Sequence, residues 1–423
     1  MKNFFEKLRV EDWVVVWVSI PLLLLAALIP ADLPSVPATL VGEVAWYNIG
    51  LLFAIVLVVL YAGCLMLRRP LRGLLASLVV VFAVSLLAQI VAKIPSVSYY
   101  GFESVFFSVL FGLLIRNVWH VPAWLKPAIQ GEFYIKIGVV CLGATILFSD
   151  VMKSGVFGLV QACLVVAVVW FFAFRFSRRM KVDDEMATML SSSVSICGVS
   201  AAIATCGVIK GDNKKLSYII SLVLVCAVPM MYVMPWLAKL VLPALLGDPK
   251  VVEEVAGAWM GGTIDTTGAV VASGALLGET AEQTAVIVKS SQNVLLGLAA
   301  FVISLYWSYR GREGQEKPSA GVIWDRFPKF VVGFVAVSLL FSLFFDGGAG
   351  TPDAAVRGTA KNFSNTLFSI AFVCIGLETR FSEIFSKENR NALWAFLSAQ
   401  TFNIVVTFIV AFLLFGVLKP MLA

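Results

Sequence analysis

The chain has 423 residues, 60% of them hydrophobic and 14% charged, with a mean hydropathy of +0.93. No soluble domain needs so much apolar sequence, which excludes a soluble enzyme or a nucleic-acid-binding module and leaves an integral protein of the lipid bilayer. The formal charge of +6 says little about partners, because membrane proteins carry excess Lys and Arg on the cytoplasmic side.

Allowing about 20 apolar residues per span, hydrophobic segments lie near 13–30, 48–67, 73–94, 101–118, 132–149, 156–176, 187–209, 216–241, 254–277, 283–308, 327–345, 361–378 and 391–417. The fold class expected is all-α: a polytopic membrane protein of about 11–13 segments, with inverted-repeat symmetry and two broken or re-entrant helices. The first run, Trp13–Pro30, is too long for a signal-peptide core and has no A-x-A cleavage site, so it reads as a retained span. Basic residues mark alternate connections: Lys2, Lys7 and Arg9; Arg68, Arg69 and Arg72; Arg116 and Lys126; Arg175, Arg178, Arg179 and Lys181. These connections are expected in the cytoplasm, together with the N-terminus.

Between Lys181 and Arg310 two topologies remain open. If segments 187–209 and 254–277 both cross, Lys210, Lys214 and Lys215 lie outside; if both are re-entrant hairpins, these lysines lie inside and Glu253 and Glu254 outside. The excess of cytoplasmic lysine prefers hairpins, although a broken spanning helix fits the parity equally well.

Two stretches stand apart from the apolar background. Ser191–Lys210 (SSSVSICGVSAAIATCGVIK) is built largely from Ser, Thr, Ala, Cys and Gly, and Thr263–Ala272 (TIDTTGAVVA) repeats the pattern of Ser195–Ala204 (SICGVSAAIA). Interrupted helices in a bilayer persist only where protein or a water-filled cavity satisfies their backbone. A matched pair of them is the best sequence pointer to a transporter's substrate site. The competing explanation is close helix packing by small residues. A second match, Cys141–Lys153 with Cys374–Ser386, also points to inverted repeats, but the two matches do not fit one colinear unit.

The motifs FGLLIRN, IGVVCLGATILFSDVMKSG, SICGVSAAIAT, WMGGTIDTTGAVVASGALLG and VKSSQN, in this order, resemble the bacterial inner-membrane family called YeiH-like sulfate exporters. The likeness runs from about Gly73 to the C-terminus. It implies a transporter domain over residues 73–423, preceded by N-terminal spans over 1–72 (with EDWVVVW) of the kind seen in longer members. It also implies a multi-pass transporter of a small anion in the bacterial inner membrane, with sulfate or sulfite export the usual assignment. Where relatives carry a His-Asp or similar pair after Gly-Ser/Thr-Ile, this chain has Gly262, Thr263, Ile264, Asp265 and Thr266, so a histidine cannot couple protons there.

An oxyanion can be held without metal by half-helix N-termini and hydroxyls. The substrate-binding candidates are Ser195, Cys197, Gly198 and Ser200 in the first stretch and Thr263, Asp265, Thr266, Thr267 and Gly268 in the second, with Lys289 and Asn293 in the next helix. Cys197 reads as a wall residue more readily than as a donor. Lys289 could neutralise an anion or pair with Asp265. Asp265 could instead carry a proton or sodium, or serve only to fix two helices. Gln292 and Asn293 are read as extending the Lys289 face. Lys136 is expected to snorkel, Glu378 to pair with Arg380 in solvent, and the tryptophans to anchor segment ends at the interface.

Seven cysteines without paired spacing and a single histidine, His120, speak against disulfides, metal sites and histidine catalysis. No cofactor is expected. No paired carboxylates, Ser/His/Asp arrangement or nucleotide-binding motif argues for an enzyme or a primary pump. The reading is therefore a secondary transporter, expected as a homodimer. A sodium- or proton-coupled carrier, antiporter or organic-anion symporter, and a passive anion channel, remain the alternatives.

Overall fold

The computed structural model describes residues 10–29, 43–94, 104–119, 121–309, 321–345, 352–379 and 390–422, and every regular element among them is helical. In chain order the α-helices of six residues or more are α1 (Glu11–Leu28), α2 (Glu43–Met66), α3 (Leu74–Ala92), α4 (Ser104–Val118), α5 (Gly131–Leu142), α6 (Phe148–Arg179), α7 (Asp184–Ser192), α8 (Val199–Ile209), α9 (Asn213–Leu245), α10 (Pro249–Thr263), α11 (Thr267–Ala275), α12 (Glu279–Tyr309), α13 (Gly321–Arg326), α14 (Lys329–Phe344), α15 (Pro352–Glu378) and α16 (Arg390–Ala411). Eight helices are long and apolar enough to cross a membrane, among the described residues. The protein is thus an all-α polytopic membrane protein.

The chain forms two compact units, one of residues 1–149 and 329–380, the other of 150–328 and 381–423. In the first, α15 is the buried centre. It crosses α4 where Gly112 and Gly376 face each other: a Cβ on Gly112 would stand 2.9 Å from Gly376 Cα, so only glycine lets the two backbones meet. Lys136 is ion-paired. Its Nζ donates to Glu11 Oε1 and Asp12 Oδ1, both at 2.9 Å, and Arg69 reaches Glu11 Oε2 at 2.6 Å. The two partners of Lys136 are the acidic residues in the first turn of α1. His120 and Arg380 lie outside the described residues.

The second unit holds the two unusual stretches. Local capping sets where its helices begin. Asp183 accepts from Met186 N ahead of α7, Asp212 from Lys214 N ahead of α9, and Asp248 from Lys250 N ahead of α10, where Pro249 adds a preset φ. The 33 residues of α9 rise about 50 Å at 1.5 Å each, more than a hydrocarbon core requires.

Segments 187–209 and 254–277 each fold as a helical hairpin. Lys215, in the first turn of α9, pairs with Asp183 at the start of α7 at 2.7 Å and with Glu185 at 3.4 Å. The chain that enters at Asp183 has therefore returned to the same level by Lys215. In the second hairpin, Gly278, just after α11, sits so close to Glu253 near the start of α10 that an added Cβ would lie 2.7 Å from its carboxylate. α9 runs from the base of the first hairpin to that of the second, so the two hairpins point toward each other from its two ends.

Two tryptophans depart from the interfacial expectation. Trp259 and Trp307 are each 5% exposed, and Trp259 donates to Ile404 O at 3.0 Å, so they pack helices rather than anchor ends.

Candidate functional site

The hairpins meet at their tips. The first turns through a π-helical segment, Ser193–Cys197, into Gly198 with φ +54° and ψ −107°, a conformation open to glycine and costly for other residues. A Cβ there would lie 2.7 Å from Val223 Cγ1 and 3.1 Å from Asp265 Cβ. The second hairpin turns at Ile264–Thr266, so Asp265 lies in its turn, against the first hairpin's glycine.

Each hairpin's first helix ends with carbonyls that have no intrahelical donor, and in a bilayer these need partners. Three side chains from two flanking helices supply donors to both tips at once. Lys289 Nζ donates to Ile196 O at 2.7 Å, to Ile264 O at 2.8 Å and to Gln292 Oε1 at 2.8 Å. Gln292 Nε2 donates to Ser195 O at 2.8 Å and Gly262 O at 3.2 Å. Asn403 Nδ2 donates to Val194 O at 3.0 Å and Thr263 O at 3.2 Å, and Gln400 Nε2 adds a bond to Thr263 O at 3.0 Å.

The sequence match between Ser195–Ala204 and Thr263–Ala272 pairs Ser195 with Thr263 and Ile196 with Ile264. The hydrogen bonds follow the same pairing. Lys289 binds the two matched isoleucine carbonyls, and exchanging the hairpins converts the pair held by Gln292 into the pair held by Asn403. The small-residue explanation also holds in part. A Cβ on Gly261 would meet Ala285 O at 2.6 Å, and one on Gly274 would meet Glu282 Cα at 2.6 Å, so the second hairpin lies backbone-to-backbone on α12.

The second helices of the hairpins, α8 and α11, both begin at the tips. No side chain caps α8, while Thr266 caps α11 by accepting from Ala269 N at 3.4 Å. By helix geometry the first N–H groups of each lack an i−4 acceptor, and both positive dipole ends converge on the junction.

The predicted residues fall as follows. Gly198 and Asp265 touch at the junction; Ser200, Thr267 and Gly268 lie in the opening turns of α8 and α11; Cys197 is a buried wall residue at the first tip. Ser195 turns its hydroxyl into its own helix, donating to Ser191 O at 2.7 Å, and meets the junction only through its carbonyl. Lys289, 1% exposed, spends its ammonium on three oxygens, and no ion pair joins it to Asp265 among the described residues. Asn293 lies one turn beyond it. Gln400 and Asn403, and Gln161, which donates to Ala258 O at 2.8 Å beside Gly262, were not picked out by sequence reasoning. The available signal was the occurrence of neutral amides inside otherwise apolar helices.

Among curated proteins, the chain is similar to a UPF0324 membrane protein of Rhodopirellula baltica, at 38% identity over 81% of this chain and 63% of that protein. It is also similar to a UPF0324 membrane protein of Nitratidesulfovibrio vulgaris, at 36% identity over 88% and 63%. A third relative is the UPF0324 membrane protein TauZ of Paracoccus denitrificans, at 29% identity over 75% and 90%. The chain thus spans about 63% of the length of the first two. No solved structure matches it. The family model described as conserved hypothetical protein 698 matches residues 73–395, and the chain, with its opposed hairpins, belongs to that family of membrane proteins.

Proposed function

We propose that the chain is a secondary transporter that moves a small inorganic anion across the bacterial inner membrane by alternating access. The observation that carries this is the meeting of two oppositely inserted hairpins whose second helices begin, N-terminus first, at the junction. Paired helix interruptions are the recurrent way a transporter builds a substrate site away from water. Open N–H groups at helix starts are ready-made oxyanion donors. The half-helix carbonyls that would repel an anion are already held by Lys289, Gln292, Gln400 and Asn403, and the open N–H groups that begin α8 and α11 supply donors for an anion.

Sulfate or sulfite is the cargo, and export the direction, that the resemblance implies. The charge asymmetry of the second unit supports an orientation. Counted by Lys and Arg alone, the base of the first hairpin carries Arg178, Lys181, Lys210, Lys214 and Lys215 against Lys250 and Lys419 at that of the second, which supports a cytoplasmic first base.

A ligand that binds only the folded state raises the melting temperature with its concentration. In a panel of inorganic anions on the purified full chain, sulfate or sulfite is expected to stabilise and chloride to do so weakly. No stabilisation by any oxyanion contradicts the cargo.

A further inference from the structure

The junction has a second feature that anion binding does not use. Lys289 commits three protons, and Gln292, Gln400 and Asn403 both of their amide protons, to carbonyls, a glutamine oxygen and the Met230 sulfur. The acceptors beside them are left over. Both carboxylate oxygens of Asp265, and Thr263 Oγ1, Asn293 Oδ1 and Gln400 Oε1, have no hydrogen-bond partner among the described residues, although these residues are between 1% and 4% exposed. A buried oxygen with nothing to accept is costly, and a buried carboxylate more so.

The residues that carry these oxygens all belong to the junction. Thr263 and Asp265 flank Ile264, whose carbonyl is held by Lys289; Gln400 is hydrogen-bonded to Thr263 O; Asn293 stands one helical turn from Lys289. All are hard oxygen donors, the chemistry that suits a hard cation. The set holds a single carboxylate, and no cluster of three or more His, Cys, Asp or Glu able to hold a metal is found among the described residues. One negative charge amid neutral oxygens fits a monovalent ion better than a divalent one.

We infer that Asp265, with the side-chain oxygens of Thr263, Asn293 and Gln400, binds a monovalent alkali cation at the tip of the second hairpin, with sodium as its probe. The site's role as a coupling ion rests on the transporter reading, but its existence does not. Asp265 and Lys289 cancel in charge, so a bound cation leaves one positive charge beside two half-helix N-termini, and a bound anion offsets it. Each ligand therefore tightens the other, reciprocally.

The test is equilibrium binding of sodium-22 to the purified full chain at fixed alkaline pH, with choline as the replacement salt. The wild type is expected to bind saturably, Asp265→Asn to lose binding, and Thr263→Val and Asn293→Leu each to weaken it by about tenfold or more. Size-exclusion profiles and melting temperatures establish that the variants are folded. No saturable binding by the wild type, or binding that survives Asp265→Asn, overturns the site. So does stability that responds to pH through Asp265 without sodium binding, since the acceptors then hold a proton. If Asp265→Asn does not fold, unchanged affinity in both other variants overturns it. Binding of sulfate-35 to the same samples separates the two proposals. Sodium binding without any anion binding removes the cargo and keeps the site, and anion binding without sodium does the reverse.

Discussion

Gln292 and Asn403 hold the same two hairpin tips with exchanged partners: Gln292 takes the carbonyls of Ser195 and Gly262, Asn403 those of Val194 and Thr263. Under the sequence match that pairs Ser195 with Thr263, each residue does for one hairpin what the other does for its counterpart. Such an arrangement predicts equal and coupled effects. Gln292→Leu and Asn403→Leu should each destabilise the protein by about 1–3 kcal/mol, the usual cost of orphaned buried polar groups. Their double variant should depart from additivity, because both act on the same tips. Denaturant or thermal unfolding of the four proteins in detergent checks this; additive, unequal effects would separate the two roles.

Lys289 is the member common to both tips at matched positions. Lys289→Met removes the donor to three buried oxygens and is expected to lower the melting temperature more than Gln292→Leu does, with transport lost. Lys289→Arg, longer and planar in its donor geometry, is expected to fold and not to transport. If Lys289→Met keeps both stability and flux, the clamp is not what holds the tips.

The direction in which the hairpins enter can be read by labelling. In a cysteine-free background, Lys181→Cys and Lys214→Cys should react with an impermeant maleimide from one and the same side, and Glu253→Cys from the other. If segment 187–209 crossed the membrane, Lys214→Cys would react from the side opposite Lys181→Cys.

Much of this was legible in the residues alone. Each of the thirteen hydrophobic segments corresponds to a helix or a helix pair, and each of the two small-residue stretches forms the tip and second helix of a hairpin. The match of Ser195 with Thr263 and Ile196 with Ile264 reappears in the hydrogen bonds of Lys289, Gln292 and Asn403. Helix starts were read late where the first turns are polar: α6 begins at Phe148 ahead of Asp150 and Lys153, and α15 at Pro352 ahead of Arg357 and Lys361. Averaged hydropathy discards such turns even though they are helical.

The site was only half visible. Asp265 and Lys289 stand out as charges in apolar segments, but Gln400 and Asn403 are neutral amides inside a strongly apolar helix and vanish in the average. Nor does sequence say that Lys289 would be turned on Ile196 O and Ile264 O instead of on Asp265, because backbone acceptors at a helix break leave no mark in the residue pattern. The hairpin topology, left open by charge counting, follows only from long-range pairs such as Asp183 with Lys215.

The glycine at the first tip offers a substitution confined to the junction. Gly198→Ala must strain a backbone at φ +54° and place its methyl 2.7 Å from Val223 Cγ1, while Gly155→Ala in α6 meets nothing within 4 Å. The first is expected to abolish flux while costing about 1–3 kcal/mol of stability, and the second to be neutral.

The central claim is that the two touching tips form the translocation site of a carrier. Its most direct measurement is counterflow of sulfate-35 into proteoliposomes preloaded with unlabelled sulfate or sulfite, for the wild type, Gly198→Ala and Gly155→Ala. The expected result is saturable uptake, accelerated by anion on the far side, that Gly155→Ala retains and Gly198→Ala loses. Uptake that ignores the anion on the far side, or that Gly198→Ala leaves intact in a folded protein, would contradict the claim.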